Sequence, residues 1–179
     1  AFTIETIKDI PKKYNSIRAY KIKGQNKWLY EADVNKQTSS YSAIGAGSSI
    51  ILKSSAKSYY NGNTISKTDK NSAFIVESVK DIPKKYNSIR AYKSKGQNKW
   101  FYETDVSKQT SSYAVKAVNK TVKFNKNATR FYDGKMIPSK LKSNQYKIIL
   151  IKYIKKKSKS IRIYQLKGIG SWVLEQDLQ

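Results

Sequence analysis

The sequence of 179 residues lacks both cysteine and histidine. Their absence excludes a Ser-His-Asp triad, a Cys-His dyad, zinc sites built from these residues and any disulfide framework. Only 12 residues are acidic, which leaves little carboxylate chemistry, so we expect a protein that is not an enzyme and uses no cofactor or metal ion. No apolar run approaches the roughly 18 residues of a membrane-spanning helix, because the longest candidate, residues 148–151, ends at Lys152.

Positive charge dominates what the sequence does contain. Lys and Arg total 36, so the formal net charge is +24 and the pI is about 10.0. A soluble domain usually carries a net charge of about 2–8 in magnitude, and the excess predicts an anionic partner. Aromatic residues make up 12% of the chain, whereas disordered basic tails contain few of them, so we expect a folded protein.

An internal repeat with a period of 72 residues organises the chain. Residues 1–42 align with residues 73–114 without a gap and are identical at 33 of 42 positions. A third, more divergent copy covers residues 146–179. It retains the repeated Arg, Tyr, Trp and Glu as Arg162, Tyr164, Trp172 and Glu175. The period predicts a partial unit at 1–36, a linker at 37–48, a module at 49–108, a linker at 109–120 and a second module at 121–179.

The partial unit is the unusual part of this organisation. It aligns with the second half of the 49–108 module, and its strands would leave sheet edges and apolar side chains such as Ile4 and Trp28 uncovered. We therefore expect it to pack on the 49–108 module, or else to exchange strands with a second chain. The Gly-Ala-Gly-Ser run at 45–48 predicts flexible coil in the first linker.

Local patterning favours β-strands throughout. Residues 16–22 predict a strand, 23–27 a turn and 28–30 a return strand, and residues 2–7 are rich in β-branched side chains. Asn61-Gly62 and Asp133-Gly134 are strong turn signals. No segment predicts a helix. Short strands with frequent turns in units of this size indicate an all-β fold of small barrels or sandwiches.

The order of the motifs resembles a known family. An opening strand leads to Tyr-Tyr-Asn-Gly or Phe-Tyr-Asp-Gly and then to an Arg-x-Tyr strand. Lys-Gly and a turn follow, and the unit ends in Trp-Val-Leu-Glu-Gln-Asp-Leu or Trp-Leu-Tyr-Glu-Ala-Asp-Val. The pattern resembles bacterial SH3-like (SH3b) cell-wall-binding repeats, as in surface-layer proteins, autolysins and phage lysins of lactobacilli and related Gram-positives. The resemblance implies tandem SH3-like barrels, and the lack of histidine favours an anionic wall polymer over a peptide crossbridge.

Lysines and tyrosines are the first candidates for ligand binding. A lysine cluster precedes the Arg-bearing strand of each unit, and we expect these clusters in exposed loops, where they would contact the phosphates of a teichoic acid. Tyrosines near predicted turns can stay half-exposed and contact polyol or sugar. These candidates are Lys12, Lys13, Tyr14, Tyr60, Lys84, Lys85, Tyr86, Tyr132, Lys155, Lys156 and Lys157.

Arginine and tryptophan positions allow two interpretations each. Arg18, Arg90 and Arg162 could bind phosphate beside a tyrosine, or they could pair with Glu31, Glu103 and Glu175 on the return strand, which is the favoured alternative. The three tryptophans could stack on sugars. A small unit needs large buried side chains, however, so Trp28, Trp100 and Trp172 are assigned to the core.

We therefore expect a non-catalytic anchoring region of a secreted Gram-positive surface protein or wall hydrolase. It would bind teichoic or lipoteichoic acid, with peptidoglycan as a second candidate ligand, through many weak electrostatic contacts. One alternative is a basic nucleic-acid-binding repeat protein, since a high pI suits it equally, but lysine outnumbers the arginine that base recognition prefers. The other alternative is the peptidoglycan-targeting domain of an endolysin or autolysin.

Overall fold

The computed structural model describes all 179 residues and is mostly β. Two short helices interrupt it, α1 (Lys67–Lys70) and α2 (Ser139–Lys142), and no helix has the length and apolar character that a bilayer crossing requires. The strands are β1 (Ile4–Lys13), β2 (Ser16–Ile22), β3 (Trp28–Tyr30), β4 (Ser49–Leu52), β5 (Ala73–Lys85), β6 (Ser88–Ser94), β7 (Trp100–Tyr102), β8 (Val106–Gln109), β9 (Thr121–Lys123), β10 (Gln145–Lys157), β11 (Ser160–Leu166) and β12 (Trp172–Leu174).

The strands form three antiparallel sheets, which we call unit 1 (1–36), unit 2 (49–109) and unit 3 (121–179). Unit 1 contains β1-β2-β3, unit 2 contains β7-β6-β5-β4-β8, and unit 3 contains β12-β11-β10-β9. The predicted strands at 16–22 and 28–30 are confirmed. In each unit a 3₁₀ turn follows the three-residue strand, at Glu31–Asp33, Glu103–Asp105 and Glu175–Asp177.

Each unit is built on one long hairpin. In unit 1, Tyr14 and Asn15 connect β1 to β2 with φ of 48° and 58°, and both residues are therefore left-handed, as in a type I′ turn. Pro11 lies where the β1–β2 register shifts between Asp9 and Lys13. A proline is tolerated at such an irregularity because it has no N–H to contribute to the ladder.

The lysine clusters lie in strands, not in the loops that we expected. Residues 12–13 end β1, residues 84–85 end β5 and residues 155–157 end β10. The prolines at 11 and 83 are accommodated by the register shift and do not end the strand. The clusters are still exposed, because each hairpin extends beyond the packed part of its sheet.

Units 2 and 3 each enclose a hydrophobic core. In unit 2, Phe101 and Tyr92 are completely buried among the side chains of β4 and β5. In unit 3, Val173 and Tyr164 take the same positions. A strand exposes alternate side chains to opposite faces, so the residue after each tryptophan faces this core and the tryptophan itself does not.

Unit 1 has no comparable core. Its apolar side chains Phe2, Ile7, Ile17 and Trp28 are 44–58% exposed. The expected packing on unit 2 is confined to its edge, where the Thr3 hydroxyl donates to a carboxylate oxygen of Asp81 at 3.2 Å. No strand of unit 1 pairs with a strand of another unit.

Both linkers are held against the unit that follows them, which differs from the flexible coil predicted for the first. The backbone N–H of Ile44 donates to the hydroxyl of Tyr92 at 3.2 Å, and Ile44 is buried in the core of unit 2. The backbone N–H of Lys116 donates to the hydroxyl of Tyr164 at 3.2 Å. The short Gly-Ala-Gly-Ser run is a turn, in which the Gly47 N–H donates to the carbonyl of Val76 at 2.8 Å.

One buried side chain connects units 2 and 3. The amide of Gln109, 8% exposed, donates to the carbonyl of Ile154 at 3.1 Å and accepts from the N–H of Lys156 at 2.8 Å. Lys156 has this N–H free because the β10–β11 register shifts between Tyr153 and Lys157.

Candidate polyanion-binding surface

Most of the positive charge has no partner within the protein. Only seven of the 36 cationic side chains form an ion pair with a carboxylate. None of the clustered lysines takes part in an ion pair, and all are exposed. Unit 3 is the most basic, with fourteen Lys and Arg against three acidic residues. The clustered lysines without a carboxylate partner are Lys12, Lys13, Lys84, Lys85, Lys155, Lys156 and Lys157.

Two tyrosines project from the hairpin tips beside these lysines. Tyr14 and Tyr86 are 70% and 65% exposed, although each has φ of 48°, a conformation that bulky residues rarely adopt. The ammonium groups of Lys13 and Lys85 lie 5.2 Å from the centres of these rings. Each tip therefore presents an amphipathic ring next to cationic groups.

In unit 2 the ring at the tip continues into a row of aromatic residues. Tyr86 packs edge-on against Tyr102 at 5.3 Å, and Tyr102 packs on Tyr60 at 5.4 Å between ring centres. The Lys80 ammonium lies 4.0 Å from the ring centre of Tyr60 and 4.3 Å from that of Trp100. We call this set of five side chains the aromatic face.

Units 1 and 3 carry modified versions of the aromatic face. In unit 3, Lys157 lies 4.6 Å above the ring of Tyr132 and donates to its carbonyl at 2.9 Å, but Leu174 and Ser158 stand where unit 2 has tyrosines. In unit 1 the corresponding surface is a groove of about 610 Å³. This groove is lined by Lys8, Ile10, Pro11, Lys12, Lys13, Ala19, Trp28, Leu29 and Tyr30.

Of the three tryptophans assigned to the core, Trp100 and Trp172 pack against small hydrophobic clusters, whereas Trp28 is not buried. Trp28 is 44% exposed, and Trp100 and Trp172 are half-buried at the rim of small clusters on the outer side of their sheets. The pleat explains these positions, because Phe101 and Val173 face the core and their predecessors face outward. The tryptophans therefore line the aromatic face.

The arginines in units 2 and 3 serve the structural role that was favoured. Arg162 is 5% exposed, and its Nε donates to Glu175 at 2.7 Å while its Nη2 donates to the carbonyl of Tyr113. Arg90 makes the same pair with Glu103 at 2.9 Å. Both guanidinium groups therefore have partners inside the protein, as the ion-pair interpretation predicts.

Arg18 differs from these two. Its Nη1 lies 3.7 Å from Glu31, and its side chain is 47% exposed. It is thus the one predicted arginine that a ligand could reach. The longer and more exposed ion pair between Arg18 and Glu31 is found in the unit that has no comparable hydrophobic core.

Two positions that make notable contacts in the structure escaped the sequence analysis. Lys80 covers the aromatic face of unit 2, and its counterparts Lys8 and Lys152 recur at the 72-residue offset, so the repeat contained a usable signal. Gln109 connects two units, and its counterpart Gln37 has the same identity. Nothing in the sequence distinguishes the two glutamines, because only the neighbouring β10 gives Gln109 its partners.

Burial raises the pKa of some carboxyl groups, and hydrogen bonding lowers the pKa of others. Burial raises the pKa of Asp105 and of Asp177, since it disfavours the carboxylate. Burial opposes ionisation of Asp69 as well, but hydrogen bonds from Lys99 and Tyr59 lower its pKa on balance. The backbone N–H of Lys135 is the main cause that lowers the pKa of the exposed Asp133.

Asp177→Asn is expected to raise the Tm of unit 3 at pH 7. A carboxyl group whose folded pKa is raised favours folding below its unfolded pKa, about 3.9, and loses this contribution as the pH rises through the folded value. At pH 7 the ionised Asp177 therefore opposes folding. Scanning calorimetry at pH 7 and pH 3 should show a gain at pH 7 that shrinks at pH 3.

Asp133→Asn is the matched control, because the pKa of Asp133 is shifted in the opposite direction. It should not raise the Tm at pH 7. An equal gain for Asp177→Asn at both pH values would contradict the role of burial.

The surface suits binding of a polyanion that also carries apolar or polyol groups. Lysine ammonium groups contact phosphates as mobile point charges, and exposed rings pack against carbon-bound hydrogens. No group of three or more acidic residues could hold a metal ion. Comparisons with protein-family models, with curated proteins and with solved structures found no match to the chain.

Proposed function

We propose that the chain is a non-catalytic anchoring region that binds the anionic polymer of a Gram-positive cell wall, teichoic or lipoteichoic acid. One observation carries this proposal: exposed lysines without carboxylate partners recur at the same hairpin end in all three units. A solvated face that served only solubility would not need this excess. The attached protein would be secreted and located at the cell surface.

The repeated units are interpreted as SH3-like modules. Short antiparallel strands around one small core in units 2 and 3 support this assignment, as does the motif order in the sequence. Each module would contribute a weak contact with phosphates, and the modules together would gain avidity without a new type of contact. The exposed tyrosines at the hairpin tips would contact the polyol or sugar part of the polymer.

The test is retention of the full chain on purified walls before and after hydrofluoric acid, which removes teichoic acid. Retention should be lost after the treatment. It should also fall steeply with salt, because the screening length decreases from about 10 Å at 0.1 M to about 3 Å at 1 M. Retention that survives both changes would contradict electrostatic capture and favour peptidoglycan as the ligand.

Lys84→Glu with Lys85→Glu should weaken wall retention several-fold and leave the Tm unchanged, because both side chains are exposed and unpaired. Lys57→Glu with Lys67→Glu is the matched control, since it changes the net charge equally at exposed lysines outside the clusters. Equal weakening by the two double variants would show that net charge alone matters, and that the clusters are not the site.

A further inference from the structure

Unit 3 exposes apolar side chains where its strands β10 and β11 change register. Ile149 and Leu150 are 41% and 56% exposed, and the register shifts between Ile148 and Leu150. Val118, 47% exposed, lies alongside them, because the N–H of the next residue, Asn119, donates to the carbonyl of Ile148 at 2.8 Å. We call Val118, Ile149 and Leu150 the apolar patch.

Lysines border the apolar patch. The Ile148 N–H donates to the carbonyl of Lys120 at 3.0 Å, and the Lys167 N–H donates to the carbonyl of Lys147 at 2.9 Å. The side chains of these three lysines are exposed, and none of them forms an ion pair. The segments that form the patch and its border contain no acidic residue: 114–123, 145–152 and 163–170.

The other complete unit does not share this surface. Unit 2 has the ion pair of Glu77 with Lys93, 2.8 Å between nitrogen and oxygen, where unit 3 has Ile149 and Gln165. Over the six positions of the patch and its border, the formal charge is zero in unit 2 and +3 in unit 3. The residues of units 3 and 2 at these positions are Val118 and Ala46, Lys120 and Ser48, Lys147 and Ile75, Ile149 and Glu77, Leu150 and Ser78, and Lys167 and Lys95.

The combination of apolar and cationic groups selects the kind of partner. A wall polyanion would pair with the lysines but leave the apolar side chains in water. A second copy of the chain would bring two cationic borders and two net charges of +24 together, which opposes association. An anionic bilayer matches both parts, because lysines are attracted to anionic headgroups and apolar side chains enter the boundary between headgroups and acyl chains.

We propose that unit 3 docks on an anionic phospholipid bilayer through the apolar patch, with its lysine border on the lipid phosphates. The lysine cluster at 155–157 stays available to a polymer, since it begins five residues beyond Leu150, about 17 Å along an extended strand. The inference does not depend on the proposed function, because a phospholipid vesicle contains no wall polymer.

A fluorescent label can report the contact, since the chain contains no cysteine. Leu150→Cys provides the only attachment point for nitrobenzoxadiazole, and Met136→Cys is the matched control, because Met136 is 61% exposed outside the segments that form the patch. On vesicles of equal parts phosphatidylglycerol and phosphatidylcholine, the label at position 150 should brighten and shift to shorter wavelength. The label at position 136 should keep its aqueous spectrum, and neither label should respond to phosphatidylcholine alone.

A double variant tests the apolar contribution at constant net charge. Ile149→Ser with Leu150→Ser should weaken binding of the full chain to the same anionic vesicles about tenfold or more, because the apolar area transferred from water is lost. Val79→Ser with Met136→Ser is the matched control, since both side chains are exposed and lie outside the patch. It should weaken binding by less than about twofold.

Three results would overturn the proposal. One is a label at position 150 that responds to anionic vesicles no more than the label at position 136, and another is an equal loss of binding in the two double variants. The third is a different occupant of the patch. Sedimentation velocity would reveal it as a dimer that Ile149→Ser with Leu150→Ser abolishes, and a spectral shift of the position-150 label with polyglutamate would reveal an acidic polypeptide.

Discussion

Glu175→Gln is expected to lower the free energy of unfolding of unit 3 by about 3–5 kcal/mol, because it leaves the buried charge of Arg162 without its partner. Glu175 is 1% exposed, and its two oxygens accept from Arg162 and from the N–H of Ile161 at 2.6 Å. Glutamine can still accept from Ile161, but its amide N–H groups cannot neutralise the guanidinium. Calorimetry with hydrogen exchange would assign the loss to unit 3.

Glu31→Gln provides the matched control at the equivalent position of unit 1. Its ion pair with Arg18 is longer and half-exposed, and such pairs contribute at most about 1 kcal/mol. The substitution should therefore leave the unfolding profile nearly unchanged. Losses of the same size at both positions would contradict the dependence on burial.

Phe101→Ala is expected to cost unit 2 about 3–5 kcal/mol, the usual loss for a large side chain removed from a core. Phe101 is completely buried and packs on Phe74 and Tyr59. Trp100→Ala, one residue earlier, should cost less than half as much, because its side chain lies at the outer rim of the sheet. Thermal melts of the two variants give the comparison.

The order of the two losses tests which face of β7 contributes to stability. A larger loss for Trp100→Ala would show that the outer cluster, and not the inner core, holds unit 2 together. A folded Trp100→Ala protein with weakened wall retention would support a ligand contact at the aromatic face.

Local features of the fold could be predicted from the sequence. Alternation and turn residues gave strands at 16–22 and 28–30 and the turns at Gly62 and Gly134, where φ is 91° and 90°. These features depend on residues close together in the chain. The pairing of Arg162 with Glu175 could also be predicted, since β11 and β12 are joined by a short turn and Glu175 directly follows β12.

Properties that depend on the third dimension could not be predicted. Which side of β7 faces the core depends on its register with β6, and an error of one residue exchanges Trp100 for Phe101. The first linker was assigned as coil because Gly and Ser indicate flexibility, but its Ile44 N–H donates to Tyr92, 48 residues away in the chain. The second linker is held in the same way by Tyr164. The aromatic face could not be predicted for the same reason, because Lys80 approaches the rings of Tyr60 and Trp100 only after the sheet has folded.

The short connection between units 2 and 3 restricts which polymer could contact the lysine clusters of both units in the proposed function. Gln109 is fixed to β10, and Tyr113 is fixed to Arg162, so the chain between them spans at most about 14 Å. The distance between the two lysine clusters is therefore set by the protein. A stiff polyanion gains from binding both clusters only where its phosphates recur at that distance, and a polymer with another spacing must bend or bind one cluster at a time.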